Sequence, residues 1–313
     1  MNEMQPTVSV IIPTFNREKL VGAAIQSVLD QTFTDFEIIV VDDGSTDGTA
    51  GVIKEFRSEK IRYIYQPNQG RSRARNYALG LAQGRYIAFL DSDDLYLPEK
   101  LSLQVDFMGK HPDFGMIYTS AFCIDEDGES LPHAYKAEES GWIYKHIAFF
   151  LPVTITLPTV MARREVFGVV GDFDEKMERF EDTDMWRRIS KKFQIGAMSD
   201  HTCQLRTHLD NSLIAQNPQK IVAAIEYYVS KINREDKDIG WFTRRAGIAR
   251  LYAYYGGAMV VNTDWKKIGY ALIIKGIRSW PLDFRIVAMA ARYGYSRIKA
   301  GLLRKRDQFG GVN

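Results

Sequence analysis

Three short apolar runs near the start of the chain, each halted by a turn former or an acid, constrain its fold more than any other feature. Val8 to Ile12 stops at Pro13, Phe36 to Val41 at Asp42-Asp43-Gly44-Ser45, and Tyr86 to Leu90 at Asp91. The continuous run Val8 to Ile12 reads as a strand covered on both faces, and the other two read as further strands. Between them, Arg17 to Gln31 carries Leu20, Val21, Ala24, Ile25, Val28 and Leu29 at helical spacing. Asp47 to Arg57 and Arg71 to Gln83 read as two more helices around a strand at Ile61 to Tyr65. Alternation of this length predicts βαβ units on a parallel sheet. Ligands of such sheets sit beyond the carboxyl ends of the strands. That rule places Pro13 to Asn16, Asp42 to Ser45 and Asp91 to Asp94 on one rim.

Beyond Pro98 the alternation fades. Phe114 to Ala121 predicts a strand, Asp125 to Gly128 a turn, and the polar segment Ser130 to Gly141 a loop. After Ala215 helical patterns dominate, including Lys220 to Ile232 and Asp264 to Lys275, with a break at Trp280-Pro281. Charge shifts at the same place. Met1 to Ile214 holds 23 Lys and Arg against 32 Asp and Glu, whereas Ala215 to Asn313 holds 18 against 7. The 313 residues therefore divide into an α/β domain, 1–214, and a basic helical C-terminal region, 215–313.

Several classes fall away. Two cysteines make no disulfide framework, and no Cys/His cluster has zinc-site spacing. The longest uncharged stretch, Ile147 to Ala162, is shorter than the roughly 18 residues of a membrane span and is broken by Pro152 and Pro158. The N-terminus lacks the basic start and apolar run of a secretory signal, so a reducing cytoplasm is the expected setting. No GxGxxG follows a strand, which argues against a dinucleotide oxidoreductase. Pro13-Thr14-Phe15-Asn16-Arg17 is not the Gly-rich loop of a nucleotidyltransferase, and no motif predicts nucleic-acid binding.

Asp91-Ser92-Asp93-Asp94 crowds three carboxylates at a strand end, where a divalent ion such as Mg²⁺ or Mn²⁺ would relieve their repulsion. An acidic loop or a helix N-cap is the plainer alternative. Asp42-Asp43-Gly44-Ser45 puts a carboxylate where a base or ribose can donate to it, or else forms a capped turn. Gly70-Arg71-Ser72-Arg73-Ala74-Arg75-Asn76 opens a helix with cations that oppose its dipole, which a diphosphate would offset. Later come Phe180-Glu181-Asp182-Thr183-Asp184 and Arg206-Thr207-His208.

In order and spacing these blocks, from Val8 to about Ser212, resemble the family 2 glycosyltransferases. The resemblance implies the GT-A fold, a Rossmann-like, mostly parallel sheet flanked by helices, here with a helical C-terminal extension. It implies a nucleotide-sugar donor, most often a UDP-sugar, with Pro13, Phe15 and Asp43 at the base. Asn16, Gly70, Arg71, Arg75, Asn76, Ser92 and Glu181 complete the donor-binding set. Asp93 matches the direct ligand of Mn²⁺ or Mg²⁺, and Asp91 the acid on ribose or metal. His208 matches a position that helps hold the metal or diphosphate in some relatives. In the last block Leu213 stands where relatives often carry serine, the nearest serine being Ser212. Asp182 matches the general base of an inverting displacement. Processive relatives carry Gln-x-x-Arg-Trp and several spans, neither present here, so one sugar per encounter is expected.

The implied acceptor is a hydroxyl of a glycan, a lipid-linked glycan or a protein, selected by Ser130 to Ala162 and the C-terminal helices. Those helices mix Trp241, Phe242, Tyr252, Tyr254, Tyr255, Trp265, Tyr270 and Trp280 with many cations. This composition suits either an anionic membrane surface, on the inner face of the membrane, or an oligomer contact. A non-catalytic nucleotide-sugar or glycan-binding module on the same fold is the alternative to an enzyme.

Overall fold

The computed structural model describes residues 5–149, 154–207, 217–261 and 265–281. The chain forms two compact units, one of residues 1–147 and 151–208, the other of 148–150 and 209–313.

At the centre of the first unit lies β1 (Val8–Thr14), buried at every position. It pairs in parallel with β2 (Phe36–Asp42) on one side and β4 (Tyr86–Phe89) on the other, and β3 (Ile61–Tyr65) continues the parallel set beyond β2. Alternate side chains of a strand face opposite ways, which explains the unbroken apolar runs. Val8, Val10 and Ile12 pack with α1 (Val21–Leu29) and Ile53 of α2 (Thr49–Glu55). Ile11, Ile39 and Val41 instead meet Ala74 and Ala78 of α3 (Arg71–Leu81). The three predicted chain reversals thus share the carboxyl rim of one parallel half-sheet.

Past β4 the sheet becomes mixed. Short β5 (Leu95–Tyr96) and α4 (Lys100–Lys110) lead into β6 (Phe114–Ile124). Strand β8 (Met161–Arg163) is antiparallel to both β4 and β6, and β9 (Gln194–Arg206) runs parallel to β6 and antiparallel to β5. Helices α5 (Tyr144–Ala148), α6 (Arg164–Val170) and α7 (Glu181–Ser190) precede β9. Among the described residues the order is β3-β2-β1-β4-β8-β6-β9-β5, with β7 (Ser130–Tyr135) on β6. The antiparallel insertion keeps the carboxyl ends of β4, β6 and β9 on the same rim.

The structure corrects the loop expected over Ser130 to Gly141: Ser130–Tyr135 forms β7, antiparallel to β6. Nearly all its side chains are exposed, so backbone pairing holds it and no apolar alternation was there to read.

Gly84 enters β4 against β1. Its N–H donates to Ser9 Oγ at 2.8 Å, and an added Cβ would collide with the Ser9 backbone nitrogen. Gly84→Ala should cost about 1–3 kcal/mol through overpacking, read as a lower thermal midpoint. An unchanged midpoint would show that the β1–β4 junction yields freely.

The second unit contains α8 (Pro218–Glu235), α9 (Trp241–Val261) and α10 (Lys266–Ser279). Asn217 caps α8 by accepting from Gln219 N at 2.9 Å, with Pro218 at its first position. Helices α9 and α10 approach so closely that a Cβ on Gly256 would lie 2.7 Å from Gly269 O. Among the described residues no helix is long and apolar enough to cross a membrane.

Candidate active site

At the end of β1, Asn16 adopts φ 51°, a left-handed conformation that asparagine tolerates. Its N–H donates to Ser45 Oγ and its Oδ1 accepts from Thr46 N, each at 2.9 Å. The first two rim loops are therefore stitched together. Beneath them, buried Asp42 accepts from Ser45 N at 2.8 Å and Tyr63 Oη at 2.9 Å. Asp43, also buried, accepts from Gln66 Nε2 at 2.6 Å, Gln69 N at 2.9 Å and Gly70 N at 2.8 Å. Both of its oxygens thus set the path of the segment entering α3, where Gly70 turns with φ 91°. Pro13 is buried at the end of β1, while Phe15 stands 43% exposed on the rim.

From the first turns of α3 the arginines reach other elements. Arg75 is buried and divides its guanidinium: Nη2 lies 2.9 Å from Asp91 Oδ1, and Nη1 lies 2.9 Å from Glu181 Oε1. Arg71 Nε meets the same Glu181 oxygen at 2.8 Å, and its Nη2 donates to Glu178 O. Two acids separated by 90 positions are drawn together by one side chain suited to paired contacts. Asn76 faces elsewhere, exchanging bonds with Phe173, Nδ2 to O at 2.9 Å and N to Oδ1 at 2.8 Å. It pins the loop ahead of α7.

Helix α7 starts abruptly because Phe180 takes φ 64°. The break presents Glu181 inward to the arginines and leaves Asp182 half-buried beside it. Asp182 Oδ1 accepts from Thr183 N at 2.6 Å, and its Oδ2 takes no hydrogen bond from the described residues. Burial, reinforced by the Glu181 charge and opposed by the Thr183 N–H and by Arg75 and Arg71, raises its carboxyl to about 6. Asp184 does not join this site: it is fully buried and paired with Arg187 at 2.8 Å and Arg188 at 2.9 Å.

The acidic turn after β4 splits by role. Asp93 stands 3.5 Å from Arg17 Nη2. Asp94 turns back into the fold, where its Oδ1 accepts from Arg206 N at 2.7 Å. Burial and the neighbouring Asp91 and Asp93 charges push the Asp94 carboxyl well up. Arg206, at the end of β9, also donates to Asp93 O at 3.1 Å and to the carbonyls of Asp125 and Glu126, each at 2.8 Å. Ser92 is buried within the turn. His208 lies outside the described residues.

Residue reasoning singled out neither Arg17, Gln66 nor Arg206 as a site residue. Arg17 and Gln66 each stand one position beyond a strand end or its turn, a place the rim rule marks; Arg206 ends a strand with no apolar signature. Among the described residues no three His, Cys, Asp or Glu side chains form a ready metal cage. The acids still fit a hard cation that takes one or two carboxylates and completes its shell with substrate phosphates. Burial and the Asp93 charge raise the Asp91 carboxyl against the pull of Arg75, a cost that a cation beside Asp91 and Asp93 would lower.

Residues 9–170 match the model of the family described as glycosyl transferase family 2. The chain belongs to glycosyl transferase family 2. An uncharacterized glycosyltransferase of Rickettsia bellii is 38% identical over 214 residues, 68% of this chain and 30% of the relative. The chain spans only about a third of the length of such Rickettsia relatives. The putative teichuronic acid biosynthesis glycosyltransferase TuaG of Bacillus subtilis is 33% identical, over 75% of this chain and 91% of that protein. Among solved structures, S. aureus TarS 1-349 in complex with UDP-GlcNAc superposes with a TM-score of 0.68 at 21% identity, covering 94% of this chain and 88% of that one. At that identity the likeness shows the fold: this family 2 glycosyltransferase has the GT-A architecture expected from its sequence, with a helical C-terminal part.

Proposed function

We propose that this family 2 glycosyltransferase moves one sugar from a nucleotide-diphosphate sugar, most readily a UDP-sugar, to a hydroxyl of a glycan, lipid-linked or protein acceptor. The observation that carries the reading is Arg75, whose single guanidinium holds Asp91 of the acidic turn and Glu181 of the Glu-Asp pair at 2.9 Å each. One side chain thereby joins the acid expected on ribose or metal to Glu181, the immediate neighbour of the candidate base Asp182. The named UDP-GlcNAc complex of TarS supports a UDP-sugar donor by analogy, and the solved mannosyltransferase from Pyrobaculum calidifontis carries GDP-Man and Mn²⁺.

In this reading Phe15 and the Asp43 turn border the nucleotide base, and Asp93 with Asp91 would hold Mg²⁺ or Mn²⁺. When bound, that ion neutralises charge developing on the departing diphosphate. Asp182 Oδ2, unencumbered by hydrogen bonds from the described residues, takes the proton of the attacking acceptor hydroxyl. Attack from the face opposite the diphosphate inverts the anomeric carbon. The raised carboxyl of Asp182 remains largely ionised at neutral pH yet is more basic than an ordinary aspartate, which suits it to that task. Glu181, fixed by two arginines, orients the start of α7.

The assay is UDP release from a panel of UDP-sugars with Mn²⁺. Asp93→Asn should raise the Mn²⁺ concentration for half-maximal rate by about tenfold or more, the scale of losing a favourable charge contact. An unchanged Mn²⁺ requirement would place the ion elsewhere, and activity indifferent to chelation would remove it from the reading.

A further inference from the structure

Within the second unit, α8, α9 and α10 enclose a groove of about 440 Å³ whose lining includes Glu226, Trp241, Arg244, Arg245, Tyr252 and Lys275. The donor reading uses none of these residues. Three cations face one acid, and that acid is already engaged: Glu226 pairs with Lys275 at 2.6 Å and accepts from Tyr252 Oη at 3.0 Å. Each arginine spends only part of its fork on the protein. Arg245 Nε donates to Ser279 O at 2.8 Å, and Arg244 Nη1 to Asp236 O at 2.9 Å. Arg245 Nη1 and Nη2, and Arg244 Nε and Nη2, take no partner among the described residues. The groove therefore retains forked donors that match carboxylates and phosphates.

An aromatic wall accompanies them. The Arg245 guanidinium lies 5.0 Å from the centre of the Trp241 ring, and Trp241 is 51% exposed. Trp241 is steadied edge-on by Phe242 at 4.9 Å and Trp280 at 6.1 Å. A rigid, half-exposed indole beside hydrogen-bonding side chains suits the C–H face of a sugar ring, while the arginines suit an acid group on the same or the next sugar.

We propose that this groove binds an acidic carbohydrate, a glycan bearing carboxylate or phosphate groups. The proposal rests on the glycosyl-transfer reading for the kind of ligand, and it gives the second unit a role in holding acceptor-type chains.

Calorimetry and tryptophan fluorescence on the full chain would compare a hyaluronan hexasaccharide, acidic on alternate sugars, with neutral chitohexaose. The acidic oligosaccharide should bind at least about tenfold more tightly, a difference of one decade in Kd. Arg245→Gln and, separately, Trp241→Ala should each weaken it by about tenfold, while UDP-sugar hydrolysis stays at the wild-type rate. Equal or absent binding of the two oligosaccharides to the wild type overturns the proposal, whatever becomes of the variants. So does wild-type affinity in both variants. Phosphatidylglycerol vesicles that bind through Arg245 and Trp241 where hyaluronan does not would also overturn it, marking a lipid surface instead. Loss of oligosaccharide binding with hydrolysis intact refutes the groove alone; oligosaccharide binding without any hydrolysis refutes the transfer reading alone.

Discussion

Asp182→Asn should lower the transfer rate by about 10²- to 10⁴-fold, the usual worth of a positioned proton acceptor. Donor affinity, measured by titration with a UDP-sugar and Mn²⁺, should stay near wild type because the amide keeps the shape and the bond to Thr183. Wild-type kcat carries the same information in its pH dependence. The base acts ionised, so the rate should be full above the raised value near 6 and fall as pH drops through it. Glu181 raises that limb and the arginines 75 and 71 lower it, so Arg75 variants with residual activity should lose rate at a higher pH than wild type. An Asp182→Asn enzyme within threefold of wild type, or a rate flat through pH 6, would remove Asp182 from the chemistry.

Arg75→Met should be the most damaging single change to the fold around the site. It leaves Glu181, 6% exposed at its side chain, with Arg71 as its one remaining arginine and deprives Asp91 of its partner. Breaking one member of a buried pair typically costs about 3–5 kcal/mol. In a unit of this size that lowers the melting midpoint by on the order of 10 °C. Arg75→Lys should recover little, since one ammonium is a point charge and cannot fork between two carboxylates. Glu181→Gln added to Arg75→Met should restore part of the loss by discharging the under-compensated acid, and a double variant as unstable as the sum of both singles would show that the pair is not coupled. A wild-type midpoint in Arg75→Lys would mean that charge alone, without the fork, holds the two motifs.

The central parallel strands β1, β2 and β4 were legible because they are buried almost throughout and announce themselves as apolar runs; β3, part-exposed at the edge, still agrees residue for residue with the expected span Ile61–Tyr65. Helix ends were less legible. Arg17 to Gln31 shrinks to Val21–Leu29, its first residues forming a turn in which Arg17 N and Glu18 N bond to Thr49 and Asp47 while Arg17 O accepts from Val21 N. Strand β9 left no signal because its middle residues are partly exposed and its register shifts against β6. The acids of the site were visible by spacing, yet their division of labour was not. Asp93 and Asp94 are neighbours in sequence and chemically alike, and only Arg206, 112 positions after Asp94, turns one of them away from the rim. Asn76, grouped with the donor-binding residues by resemblance, is seen bonded to Phe173, a contact no local pattern encodes.

The anchoring of the acidic turn by Arg206 has a temporal consequence during synthesis. Strands β1 to β4 leave the ribosome with every acid from Asp42 to Asp94 already attached, but the clamp on Asp93 and Asp94 arrives only with the last strand of the unit. At about 5–20 residues per second, several seconds separate the emergence of the turn from that of its clamp. A nascent chain that holds only the parallel half therefore has Arg17 and Arg75 to meet Asp93 and Asp91, but nothing yet to turn Asp94 back into the fold.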